Sequence, residues 1–166
     1  NTVDKKIASD IALDIRELGR ARRDSKGKII RFPNGKINRK PGKLKATKAV
    51  GWYIDEYKKA QVSMNLINYK VTSIYKAFEE VRNQARKRGL RVTGSEIVGL
   101  IPKEALLESG LYYIEKQNKC KAVSENHIIH IAIESLGLNE ISAFDPKLNI
   151  VENRITRNNQ LIDLKG

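Results

Sequence analysis

The sequence predicts an α+β fold, a ferredoxin-like (split βαβ) two-layer sandwich whose first strand lies before Asn1 and which carries extra helices at its C-terminal end. Three observations predict it. Patterned segments run in the order helix, strand, strand, helix, strand, helix, helix. Polar and apolar side chains alternate strictly over residues 60–66, AQVSMNL, the period of a strand with two unlike faces. Apolar residues recur at three- and four-residue steps on either side of the first two strands, as in helices that bury one stripe.

Thr2 is placed to cap a first helix with Ile7, Ile11, Ile15 and Leu18 on one face and Gly19 at its end. Periodicity then stops. Residues 20–42 hold Pro33, Asn34, Gly35, Pro41 and Gly42 and read as a long basic loop with a small hairpin at 32–36. Runs 47–54 and 60–66, joined by DEYKK, read as an antiparallel pair. Val71, Ile74, Phe78, Val81 and Ala85 mark a second helix running to Gly89. Residues 90–102, LRVTGSEIVGLIP, are β-branched and punctuated by glycine, so they predict a third strand. Pro102 opens a third helix holding Leu106, Leu107, Leu111 and Ile114, weakened by Gly110. Ser124 caps a fourth, with Ile129, Ala132, Ile133 and Leu136 inward and Gly137 closing it. Residues 138–166 are weakly patterned and expected to be partly extended or loose. The expected division is a domain over 1–150 and a tail over 151–166.

At 166 residues the chain can bury one proper core. No apolar run approaches the roughly 20 residues that span a bilayer, which argues against a membrane partner. A single cysteine, Cys120, rules out an internal disulfide and suits a reducing cytoplasm. Asn1 in place of Met suggests a piece of a longer polypeptide. The formal charge of +13 is concentrated between Arg20 and Lys48, where Asp24 is the sole acid. Such a field draws in an anionic partner, but it does not choose among nucleic acid, an anionic surface and a polyanionic small molecule. Within that segment Phe32 is the one aromatic, and its prolines and glycines forbid the long basic helix that enters a nucleic-acid groove or lies on a membrane. A solvated run is its commonest fate.

Other chemistry is sparse. His127, His130 and Glu134 share a helix face, but that face lies opposite the apolar stripe, where polar residues belong; no metal is expected. Cys120 between Lys119 and Lys121 has no adjacent general base. Glu79 and Glu80 cannot converge, and GKINRKPGKLK lacks the order of a phosphate loop. The sharpest feature is the outer face of 60–66. Gln61, Ser63 and Asn65 form a row of neutral amide and hydroxyl groups, where solvated strands more often carry Lys, Glu and Thr. Gly51 and Tyr53 join that open face if Val50, Trp52 and Ile54 face the helices. Ser95 and Glu96 point opposite ways, and alternation does not settle which is outward.

Together, GWYIDEYKKAQVSMNL at 51–66 and VTGSEIVGLIP at 92–102 resemble the glutamate formimidoyltransferase family, specifically the C-terminal subdomain of its transferase domain. The resemblance runs from KKIASDIALDIRELGR to FDPKLNIVE. It implies transfer of a formimino group from N-formimino-L-glutamate to tetrahydrofolate, in histidine breakdown, with folate enclosed between two α/β subdomains. The catalytic histidine is implied to belong to the N-terminal subdomain, a partner lying outside this chain, so no catalytic residue is expected here. The implied folate-binding residues are Gln61, Ser63, Asn65, Gly51 and Ser95. The basic segment is longer than the family leads one to expect, and a stand-alone bacterial-type transferase is the expected parent. The alternative is a non-catalytic basic module for nucleic acid, which a steep salt dependence would reveal. A dimerising half, with a homodimer as the partner state, is the third reading.

Overall fold

The computed structural model describes residues 1–117 and 124–156. Cys120 and its flanking lysines lie outside the described residues, as does the end of the expected tail. The chain divides into two compact units, Asn1–Val92 and a second beginning at Thr93.

In the first unit, α1 (Lys5–Ile15) and α2 (Ile74–Arg86) cover one face of a hairpin, β3 (Thr47–Ile54) and β4 (Lys59–Leu66), paired antiparallel. The cap of α1 is Asp4, whose carboxylate accepts from the Lys6 N–H at 2.7 Å, while the Thr2 hydroxyl accepts from the Asp4 N–H. Asp4 takes the role expected of Thr2, and the helix ends at Ile15, leaving Leu18 exposed. Ile11, Ala12 and Ile15 of α1 pack with Ala77, Val81 and Ala85 of α2, Leu44 and Ala49, and with Val62, Met64 and Leu66 on the inner face of β4. Burying such side chains contributes about 1.5–3 kcal/mol each for the larger ones.

The basic segment is folded rather than a loop. Its ends form a short ribbon, β1 (Arg20–Ala21) against β2 (Arg39–Lys40). Between them two hairpins share one plan: Arg23 and Arg31 donate to the carbonyls of Gly27 and Gly35, and the side chains of Asp24 and Asn34 accept from the N–H groups of Lys26 and Lys36. Three backbone bonds close the unit. Ile30 donates to Arg22, Asn38 to Ile30 and Arg22 to Asn38, each at 2.9 Å. The hairpin expected at 32–36 is the second of the pair.

The second unit pairs α3 (Lys103–Lys116) with α4 (Glu125–Leu136) around buried Leu106, Ile114, Ile129, Ile133 and Leu136. Gly110 has a packing role: a Cβ there would overlap the Ile128 backbone, so its absence lets the two helices approach. Ser124 caps α4 through the His127 N–H, and Gly137 ends it. Within the stretch expected to be partly extended or loose, 138–145 are turns and irregular chain, whereas α5 (Pro146–Asn149), capped by Asp145, and the residues 151–156 are helical. Among the described residues 90–102 form no strand; Ile101 makes one parallel bridge to Ile150.

Candidate functional site

Register decides what the hairpin displays. Directly opposed residues of an antiparallel pair share a face, and here Lys48 opposes Asn65, Val50 opposes Ser63 and Trp52 opposes Gln61. On β3 the other set, Thr47, Ala49 and Gly51, is buried, while Lys48, Val50 and Trp52 are exposed. Ser63 and Asn65 are exposed and Gln61 is partly so. The row of neutral polar groups therefore lies on the face away from α1, as expected, and it lies beside a half-exposed indole.

The placement of Gly51 and Tyr53 is reversed from expectation. The open face was expected to hold them on the condition that Val50, Trp52 and Ile54 meet the helices, and that condition fails. Gly51 meets the helices instead, since α1 crosses so closely that a Cβ at Gly51 would overlap the backbone of Ala8 and Ser9. The approach is allowed by small residues on both sides: Ala8 and Ala12 on the helix, Ala49 and Gly51 on the strand. Trp52, left exposed by this packing, is the residue that sequence reasoning missed. The signal was present in the short side chains at every second position of 47–51, which mark a face pressed against a helix.

Ser95 lies in the second unit, where its hydroxyl donates to the Leu136 carbonyl at 2.7 Å and its N–H donates to the Gly137 carbonyl at 3.1 Å. Both bonds satisfy carbonyls at the C-terminal end of α4. The structure thus gathers Gln61, Ser63 and Asn65 on one surface, puts Gly51 on the reverse of the same sheet, and uses Ser95 to tie off a helix. His127, His130 and Glu134 are exposed on α4. Among the described residues no three His, Cys, Asp or Glu side chains gather as metal ligands would, and no helix is long and apolar enough to cross a membrane.

Electrostatics concentrate behind the sheet. Asp14 on α1 accepts from Arg20 Nε and, at 2.5 Å, from Arg88 Nη2; Arg20 also reaches the Asp10 carboxylate at 3.0 Å. Burial pushes the Asp14 carboxyl up, but the hydrogen bonds and charges of Arg20 and Arg88 outweigh it and hold the group below its ordinary value. This cluster fastens the base of the basic ribbon to α1 and to the segment that follows α2.

The family model described as the formiminotransferase domain matches residues 1–156. Among relatives, the chain is 44% identical over 148 residues to the formimidoyltransferase-cyclodeaminase of Dictyostelium discoideum, covering 89% of this chain and 24% of that protein. It is 38% identical to the mouse (Mus musculus) protein of the same name over 148 residues, with the same coverage. It is 38% identical over 90 residues to the glutamate formimidoyltransferase of Streptococcus pyogenes serotype M1, covering 53% of this chain and 30% of that protein. The chain thus spans about a quarter of the length of the two cyclodeaminase-bearing relatives. With a match that takes in both units and the polar strand face alike, the chain belongs to the formiminotransferase domain family.

Proposed function

We propose that this chain forms one wall of the folate site of a glutamate formimidoyltransferase, in which a formimino group leaves the nitrogen of N-formimino-L-glutamate for tetrahydrofolate and glutamate is released. The reading is supported above all by the β3–β4 outer face. Gln61, Ser63 and Asn65 offer neutral donors and acceptors beside the apolar surfaces of Trp52 and Val50. A pteridine ring presents amide, amine and π surfaces, and neutral partners bind these without the cost of burying a charge. An upstream transferase subdomain would supply the opposite wall and the catalytic histidine; the reaction belongs to histidine breakdown and one-carbon metabolism in the cytoplasm. Gly51 contributes by letting α1 brace the strand, and Ser95 by ordering the second unit.

The split βαβ layer is part of the same proposal, with its first strand supplied by residues preceding Asn1. In that arrangement the first strand lies between β4 and the strand expected at 90–102. Asn1 and Thr2 already make bonds of that kind: the Thr2 carbonyl accepts from the Ala60 N–H at 2.7 Å, and on the other side Asn1 bonds to Arg91 through its amino group and its side chain, each at 2.9 Å.

The test is Asn65→Ala and Ser63→Ala in the complete enzyme. Each is expected to raise the dissociation constant for reduced folate by about five- to tenfold, as loss of one hydrogen bond of ~1 kcal/mol or more predicts. Circular dichroism should remain unchanged because both positions are exposed. Unaltered folate affinity and turnover in the double variant would remove the polar row from the site. Folate affinity that collapses between low and high salt would favour recognition by the basic segment instead.

A further inference from the structure

On the helix side of the β3–β4 sheet, away from the polar row, lies an open cleft of about 300 Å³ lined by Leu13, Asp14, Arg20, Lys40, Pro41, Lys43, Gln84 and Lys87. Three elements build it: α1, the base of the basic ribbon, and the end of α2. Its one carboxylate, Asp14, is already bonded to Arg20 and Arg88. Gln84 is buried and engaged on both sides, donating to Glu80 and accepting from Arg88. Lys40, Lys43 and Lys87 pair with no carboxylate among the described residues. Three exposed lysines therefore line a recess whose one carboxylate is already paired, and like charges held near one another favour an anion between them.

Planar guanidinium forks grip carboxylates and phosphates alike, and here both forks are occupied, that of Arg20 by Asp14 and Asp10 and that of Arg88 by Asp14 and Gln84. The groups left over are compact ammonium donors with three protons each, which match the tetrahedral oxygens of phosphoryl groups as point charges. We infer that the cleft formed by Lys40, Lys43 and Lys87 at the base of the basic ribbon is a binding site for an anion carrying two or more phosphoryl groups. The site is independent of the folate reading, because it lies on the other side of the sheet and uses none of the same residues.

The experiment is calorimetric titration of tripolyphosphate into the complete protein at moderate ionic strength, with two charge-matched variants. Wild type is expected to bind one equivalent saturably. The variant Lys40→Gln/Lys43→Gln/Lys87→Gln should lose about tenfold or more in affinity, as removal of charge-assisted bonds predicts. The variant Lys26→Gln/Lys28→Gln/Lys36→Gln removes the same charge from the hairpins and should stay within about threefold of wild type. Of the substituted lysines only Lys40 lies in a strand and all six are exposed, and melting temperatures within a few degrees confirm that each variant is folded. A nucleoside triphosphate that binds as tightly as tripolyphosphate identifies a small-molecule site. Tighter binding of a single-stranded oligonucleotide that depends on Lys26, Lys28 and Lys36 would overturn the cleft in favour of the hairpins. No saturable binding, equal losses in both variants, or a tricarboxylate that binds at least as tightly as tripolyphosphate would overturn the proposal as well.

Discussion

Replacing Gly51 with alanine is expected to lower the unfolding free energy by ~3 kcal/mol, toward the upper end of what overpacking a tight contact costs. The added methyl would meet backbone, at Ala8 and Ser9, rather than the movable end of a side chain. Relief requires α1 to move away from β3, and that movement opens the contact that buries Ala8, Ala12 and Ala49. Urea denaturation of the complete protein measures the loss. If the polar row is the folate wall proposed above, the variant should also present it less accurately and folate affinity should fall, although residue 51 lies on the opposite face of the sheet. A Gly51→Ala protein with wild-type stability would show that the helix does not approach the strand as described.

Asp14→Asn is expected to cost about 2 kcal/mol at neutral pH, a figure discounted because the carboxylate and Arg20 are partly exposed and solvent screens them. The amide keeps one acceptor but loses the charge that holds Arg20 and Arg88 together. The pH dependence separates this role from plain packing. A carboxyl whose folded pKa lies below its unfolded value of 3.8 stabilises the protein fully at higher pH. That contribution begins to disappear near pH 4, and it is lost as the pH falls through the lower, folded value. Wild type should therefore lose stability in this window more steeply than Asp14→Asn, with the two denaturation profiles converging at the acid end. Parallel profiles would mean that Asp14 is not held ionised by its two arginines. Limited proteolysis offers a second readout, with cleavage between Arg20 and Lys40 expected to accelerate once the ribbon loses its anchor.

Legibility differed from element to element for physical reasons. The four long helices announced themselves because one buried stripe repeats every three or four residues, and the hairpin did so because one of its strands alternates without exception. Residues 49–54 were harder. Both alternating sets are apolar there, so hydrophobicity could not say which turns inward. The basic segment concealed a period rather than lacking one. Arg23, Gly27, Lys28 and Ile29 recur as Arg31, Gly35, Lys36 and Ile37, a repeat masked by charge and by turn residues that resemble an ordinary loop. The third strand could not be judged from its own residues, because a strand exists only through a neighbour.

The amino-acid sequence alone determined the four long helices, the β3–β4 hairpin, the neutral row of Gln61, Ser63 and Asn65, and the resemblance that led to the family. These are local properties, readable from spacing and side-chain chemistry. The tertiary structure decided that Gly51 rather than Trp52 lies under α1, that Ser95 secures a helix end, and that Lys87 joins Lys40 and Lys43 around one recess. Each of those depends on how closely two backbones approach, which composition does not encode and packing does.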